Sequence, residues 1–148
     1  MAALSRRRAG RALEIVAGFA ALTLVLTAPL AWRGAVAGPI NTGDGQLSIW
    51  NVAWVARALV LDPVHVYDAN IFAPHRATLA YSEANLPAGL IGLPGWWLSR
   101  NPYLTYNSAV CGAILIAALA TFGLVHRVAG SRSAAAVSAV LFAFATFV

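Results

Sequence analysis

Long apolar runs alternate with short polar segments along most of the chain, and the lengths of the runs predict helices. The first run, Ala12 to Trp32, has about 21 residues and would cover roughly 31 Å as a helix, enough to cross a bilayer core. A second full-length run extends from Tyr103 to Val125. The run from Ala134 to Val148 is shorter, at about 15 residues, and predicts an incomplete span.

The segment 84–98 is also apolar, but two prolines and three glycines interrupt it. At about 15 residues it is marginal for a crossing, so it is either a short kinked span or a re-entrant piece. A crossing would place Arg127 and Arg132 outside, against the positive-inside bias, whereas a re-entrant piece would keep them inside. The resemblance described below favours the crossing. We therefore predict an all-α polytopic integral membrane protein with about four membrane helices, 12–32, 84–98, 103–125 and 134–148.

Residues 33–83 predict a long exoplasmic loop with internal order. Glycine, proline and asparagine are frequent up to Gly45 and indicate irregular, turn-rich backbone. Asp44 can then cap a helix from about Gly45 to Leu61, which the Asp62-Pro63 pair would end. Such a helix reaches only about 24 Å, so it either lies in the membrane interface or packs beneath the loop. The segment that follows, up to residue 83, is again rich in turn formers.

Composition narrows the class of protein. The chain is 60% hydrophobic and 10% charged, whereas soluble domains carry about 25% charged residues, so it is not an ordinary soluble domain. Its net charge is +5, and four of its arginines lie in the polar lead 1–11, before the first apolar run. Beside a hydrophobic span such a cluster indicates a cytoplasmic N-terminus rather than binding to nucleic acid. Trp32 suits the opposite interface.

A secretory signal is the rival interpretation of the N-terminal region. The basic lead, the apolar run and the small residues Ala35-Val36-Ala37 resemble a signal with its cleavage site. The apolar run is longer than the roughly 7–15 residues usual for signals, which favours a retained span. Both interpretations place residue 38 onward outside the cytoplasm.

Few residues can carry chemistry. Asp44 is one of five acidic residues, and it is either a helix cap or a general base. Glu83 precedes an apolar run and is either an interfacial charge or a second functional carboxylate. His75 and Arg76 either lie near anionic headgroups or neutralise a phosphate leaving group. Trp50 is an interface anchor or a stacking surface for a sugar. Cys111 is the single cysteine, so no internal disulfide can form.

Several segments together resemble a known family. The loop ends in Phe72-Ala73-Pro74-His75-Arg76-Ala77-Thr78-Leu79-Ala80-Tyr81-Ser82-Glu83, and the next full span begins at Asn101-Pro102-Tyr103-Leu104-Thr105-Tyr106-Asn107. That span ends in an Arg-x-x-Gly-Ser connector before an Ala-rich run. With the early Asp44, these features resemble the N-terminal part of bacterial polytopic glycosyltransferases of the GT-C superfamily, over roughly residues 13–148.

The resemblance implies a function and a location. It implies a bacterial cytoplasmic (inner) membrane protein that transfers a sugar from a polyprenyl-phosphate donor to an exoplasmic acceptor. Asp44 matches the essential acidic residue of the first loop, and Glu83 is the candidate for a second. Where the family carries an Asp-Glu pair, this chain has Gly43-Asp44-Gly45. A divalent metal ion could bind Asp44 and another carboxylate, although no spacing fits a zinc site.

Two other classes of function remain open. The chain could be a non-enzymatic assembly or scaffold subunit of the membrane, with Asp44 serving only to cap a helix. A transporter fragment is less consistent with the sequence, because the predicted spans carry no paired charges. The incomplete last run predicts that the chain is the N-terminal module of a longer protein.

Overall fold

The computed structural model describes residues 2–38 and 43–145, with the side chains of 2–9, 29, 31 and 32 excepted. The described residues are helical or irregular and contain no strand, which confirms the all-α prediction. The side chain of Trp32, the 39–42 part of the turn-rich segment and the last three residues of the run ending at Val148 lie outside what the structure describes. The helices, in order, are α1 (Ala2–Leu26), α2 (Ala28–Arg33), α3 (Gly43–Leu61), α4 (Leu86–Ser99), α5 (Pro102–Ala129) and α6 (Arg132–Phe144).

These bounds differ from the predicted ones mainly at helix ends. The run 12–32 is divided between α1 and α2, with a turn at Thr27 between them. Helix α3 ends at Leu61, immediately before Asp62-Pro63, as predicted, because a residue preceding proline disfavours helical backbone. It starts at Gly43, however, so Asp44 lies inside its first turn rather than at the cap that we predicted.

The chain divides into two compact units, residues 1–28 with 114–148, and residues 29–113. In the first unit, Phe19 of α1 meets Phe122 of α5 edge to face, with ring centroids 5.9 Å apart. The N-cap residue of helix α6 is Ser131, whose hydroxyl accepts a hydrogen bond from the Ala134 amide. It buries a row of alanines at helical spacing, Ala135, Ala139 and Ala143.

In the second unit, α4 packs tightly on both of its neighbours through three glycines at a spacing of three residues. A Cβ atom on Gly89 would overlap the Val55 side chain of α3. On Gly92 it would lie 2.8 Å from the Thr105 carbonyl oxygen of α5, and on Gly95 it would overlap the Ser108 hydroxyl. Small residues at this spacing let helix backbones approach closely.

Residues 62–85, which we call the cap, fold back onto α3 as a compact layer containing the 3-10 helices Pro63–His65 and Thr78–Tyr81. Val66, Ala69 and Leu79 of the cap bury against Val55 and Ala58 of α3. Trp54 Nε1 donates to the Val66 carbonyl oxygen at 2.9 Å. Of the two placements predicted for α3, the structure therefore shows the one beneath the loop.

Among the described residues, one helix is long and apolar enough to cross a membrane, α5. Its most apolar 18-residue window has a mean hydropathy of 2.3, and only 17% of that window is buried within the protein. An apolar helix left this exposed needs lipid or another protein around it. The other predicted crossings, including the 14-residue α4, stay predictions.

Candidate functional site

A groove of about 400 Å³ lies between α3, the start of α4 and the first half of α5. This volume lies within the range of small-molecule sites in proteins. Most of its wall is apolar and comes from Val52, Pro87, Ala88, Ile91, Ala109, Val110 and Ala113. Its polar lining consists of Ser48, Glu83, Asn85 and Tyr106.

Glu83, predicted as a second functional carboxylate, lies in the lining of this groove, and its side chain is exposed. Its backbone is fixed from below, because Asn51 Nδ2 of α3 donates a hydrogen bond to the Glu83 carbonyl oxygen. Asn85 follows in the left-handed backbone region, with φ 46°, and leads directly into α4. Glu83 thus lies in a short connection that Asn51 holds on one side and that continues into α4 on the other.

Asp44 lies one helical turn before Ser48, a residue of the groove lining. The Ser48 hydroxyl donates to the Asp44 backbone carbonyl oxygen at 2.9 Å, the bond that a serine inside a helix commonly makes four residues back. Four residues of helix rise about 6 Å, so Asp44 stands at the end of α3 just beyond the groove lining. Its side chain is exposed, and in the first turn its charge is favoured by the helix dipole.

The other predicted site residues do not line the groove. Trp50 stacks on Trp54 with ring centroids 6.1 Å apart and lines a separate cavity. His75 and Arg76 are exposed in the cap, where the His75 ring lies 6.4 Å from that of Tyr81. Of the predicted site residues, the structure therefore places only Glu83 in the groove lining. Asp44 lies outside the lining, one helical turn before Ser48, and Trp50, His75 and Arg76 lie elsewhere.

The separate cavity has a volume of about 80 Å³ and lies between α3 and the cap. Its apolar and aromatic wall comes from Leu47, Trp50, Ile71, Phe72 and Leu79, and its polar wall from Asn51, Thr78 and Ser82. Asn51 is 5% exposed, and its Oδ1 is buried without a hydrogen-bond partner. Such an orphaned acceptor is uncommon in a folded protein.

Asn51 was not singled out by sequence reasoning, although a signal existed. It is an amide in the middle of a helix whose neighbours Val52, Ala53 and Val55 are apolar and buried. A polar residue at such a position indicates either a specific partner or a site. Its partner, the Glu83 carbonyl, is 32 residues away in sequence, which no local pattern reveals.

Two further acidic residues, Asp62 and Asp68, make contacts within the cap. Asp68 Oδ1 accepts a hydrogen bond from the Ala77 amide at 2.7 Å, and Asp62 pairs with His65 at 2.9 Å. These contacts give both carboxylates a structural role. Within residues 2–38 and 43–145, no three His, Cys, Asp or Glu side chains are arranged as ligands for a metal ion.

Comparison of the chain with protein-family models, with curated proteins and with solved structures finds no match.

Proposed function

We propose that the chain is the N-terminal membrane module of a glycosyltransferase that uses a polyprenyl-phosphate sugar as donor. The observation that carries the proposal is the groove, which has an apolar wall, with Glu83 in its lining and Asp44 one turn beyond Ser48. An apolar wall suits a lipid-linked donor, and a positioned carboxylate can take the proton of an acceptor hydroxyl.

The apolar wall supports an isoprenoid chain as occupant. Each methylene removed from water contributes about 0.8 kcal/mol, so a few isoprene units in the groove stabilise a complex substantially. The wall residues are mostly small or branched and uncharged, as a hydrocarbon occupant needs. The groove lining contains no cation, so the phosphate would lie beyond it. The predicted role of His75 and Arg76 toward the phosphate stays a prediction.

In the proposed reaction the acceptor oxygen bonds to the anomeric carbon as the bond from that carbon to the phosphate oxygen breaks. The bonding pair leaves with the polyprenyl phosphate, and the acceptor proton passes to a carboxylate. Asp44 is the proposed base, because it is exposed at the end of α3 and can reach an acceptor from the water side. Glu83, in the groove lining, is the proposed positioning residue for the donor sugar.

The proposal is tested with an Asp44→Asn variant of the full-length protein in native membranes. A missing general base lowers the transfer rate about 10²–10⁴-fold while the amount of protein stays normal. Asp62→Asn is the matched control, because Asp62 is an exposed acid just beyond the other end of α3. Full transfer activity in Asp44→Asn would contradict the assignment.

A non-enzymatic scaffold subunit is the second candidate, favoured by the exposed apolar surface of α5. Ile116, Leu124 and Val128 are 53%, 65% and 80% exposed and could pack against another membrane helix. In that case Asp44→Asn changes little, whereas truncation of α5 disrupts an assembly. The Asp44→Asn measurement therefore separates the two candidates.

A further inference from the structure

We infer that the first apolar run is retained in the mature protein, because the candidate cleavage site Ala35-Val36-Ala37 is a fixed part of the fold. The site lies within residues 34–38, which we call the strap and which follow α2 directly. From the sequence, these residues either end a secretory signal or follow a retained span. Cleavage after Ala37 would separate most of the strap from the rest of the chain.

Two asparagines hold the backbone carbonyl groups of the strap. Asn107 Nδ2, on α5, donates to the carbonyl oxygens of Gly34 and Ala37 at 2.8 and 2.9 Å. Asn101 Nδ2, just before α5, donates to the Ala35 carbonyl oxygen at 2.9 Å. All three bonds therefore join the start of α5 to residues that a signal peptidase would remove.

The Asn107 amide obtains all its hydrogen bonds from the strap. Asn107 is 4% exposed, and its Oδ1 is buried without a partner. The carbonyls of Gly34 and Ala37 are thus the only partners of this amide within residues 2–38 and 43–145. A chain beginning at Gly38 would lack both carbonyls and leave a buried amide with no partner, an arrangement that folded proteins avoid.

The strap also packs closely on its neighbours. Gly34 is buried, and a Cβ atom on it would lie 2.5 Å from the Leu30 carbonyl oxygen and 3.5 Å from the Leu104 side chain of α5. A Cβ atom on Gly38 would lie 3.0 Å from Cδ1 of Ile49 on α3. Backbone that approaches two helices this closely belongs to the folded structure.

The conformation of the strap is a turn. The amides of Val36 and Ala37 both donate to the Arg33 carbonyl oxygen at 2.9 Å, at the end of α2. An extended peptide is bound through its main-chain groups, and in the strap several of these groups are already paired. With the strap in place, the mature protein keeps the apolar run 12–32 as an anchor, together with the arginine-rich lead 1–11.

The first test determines the N-terminus of the full-length protein from native membranes by intact mass spectrometry. Residues 2–37 are expected to be present. An Ala37→Leu variant removes the small residue that cleavage after position 37 needs, and Val36→Leu, at a 77% exposed position, is its matched control. All three proteins should have the same length. A wild-type chain that begins at Gly38, or at any other residue after α1, would overturn the inference.

The second test measures how firmly the asparagines hold the strap. Elastase, whose pocket accepts small side chains, is added to the full-length protein in lipid nanodiscs, and mass spectrometry follows cleavage within residues 34–38. Asn107→Leu removes two donors, so this cleavage should become about tenfold faster. Asn101→Asp removes the donor to Ala35 but keeps the Oδ1 acceptor at the start of α5, so a several-fold increase is expected.

Asn70→Asp is the control for the second test, because it makes the same change at an exposed position of the cap and should leave the cleavage rate unchanged. An unchanged rate in Asn107→Leu would overturn the role of the strap. Should Asn107→Leu fail to fold, equal rates in Asn101→Asp and Asn70→Asp would overturn it. Neither test involves transfer of a sugar, so a failure of the proposed reaction leaves both results unaffected.

Discussion

At the scale of single residues, three asparagines organise the second unit through backbone groups distant in sequence. Asn51 holds Glu83, as described above. Asn101 Oδ1 accepts from the amides of Tyr103 and Leu104 at the start of α5, and Asn101 Nδ2 donates to the Ala35 carbonyl oxygen. These side-chain hydrogen bonds hold irregular segments against helices, where no regular backbone hydrogen bonding joins the two.

Asn107 gives the first stability prediction. Its Nδ2 donates to the carbonyl oxygens of Gly34 and Ala37 at 2.8 and 2.9 Å, and Asn107 is 4% exposed. The Asn107 side chain therefore holds the turn that follows α2. Asn107→Leu leaves those carbonyls unpaired and should lower the free energy of unfolding by about 1–3 kcal/mol. Thermal unfolding in detergent measures the loss, and Asn70→Leu, at an exposed position, should show no comparable shift.

Ala77 gives a prediction of the opposite sign. Its φ of 53° lies in the left-handed region, which costs an L residue about 1–2 kcal/mol. Ala77→Gly should therefore raise the free energy of unfolding by about 0.5–1 kcal/mol, after the greater flexibility of glycine in the unfolded chain is counted. Ala80→Gly, within the 3-10 helix Thr78–Tyr81, should lower it by a similar amount. A cap equally stable in both variants would contradict the strain argument.

At the scale of elements, the three glycines of α4 (Gly89, Gly92 and Gly95) explain how this 14-residue helix with an internal proline packs closely on α3 and α5. The matched comparison is Gly92→Ala against Gly123→Ala, the latter on α5 with nothing within 4 Å of an added Cβ. Gly92→Ala forces backbones apart and should cost about 1–3 kcal/mol. Gly123→Ala should stabilise by about 0.5–1 kcal/mol through helix propensity. Thermal unfolding measures both effects. A shift of the two unfolding temperatures in the same direction would contradict the close packing of α4 on its neighbours.

The elements also show how far the sequence alone could go. The apolar runs predicted α5 and α6 to within a few residues, because hydrophobic length is a local property, and Asp62-Pro63 predicted the end of α3. The cap was not predictable, because its core joins residues far apart in sequence, such as Val55 and Leu79. For the same reason Glu83 was predicted as a candidate, but its groove with Tyr106 and Ala109 was not.

At the scale of the whole molecule, the prediction still open is the side of the membrane on which the cap lies. The proposed exoplasmic reaction depends on it. Val64 is 83% exposed at the start of the cap. A Val64→Cys variant in a Cys111→Ala background should react with a membrane-impermeant maleimide in intact cells, as expected for a loop 33–83 outside the cytoplasm. Labelling only after the cells are permeabilised would place the cap in the cytoplasm and would contradict a reaction on the exoplasmic side. The Cys111→Ala parent, which has no cysteine in residues 1–148, should stay unlabelled.

The most direct measurement of the central claim is photo-crosslinking of a diazirine-bearing polyprenyl phosphate to the full-length protein in membranes. The account predicts saturable labelling of peptides that contain the groove residues Val52, Ile91 and Val110. Ala113→Trp, an exposed groove position, should abolish it, and Ala120→Trp, an exposed α5 position outside the groove, should not. Absence of saturable labelling, or equal labelling of both variants, would contradict a lipid-linked donor in this groove.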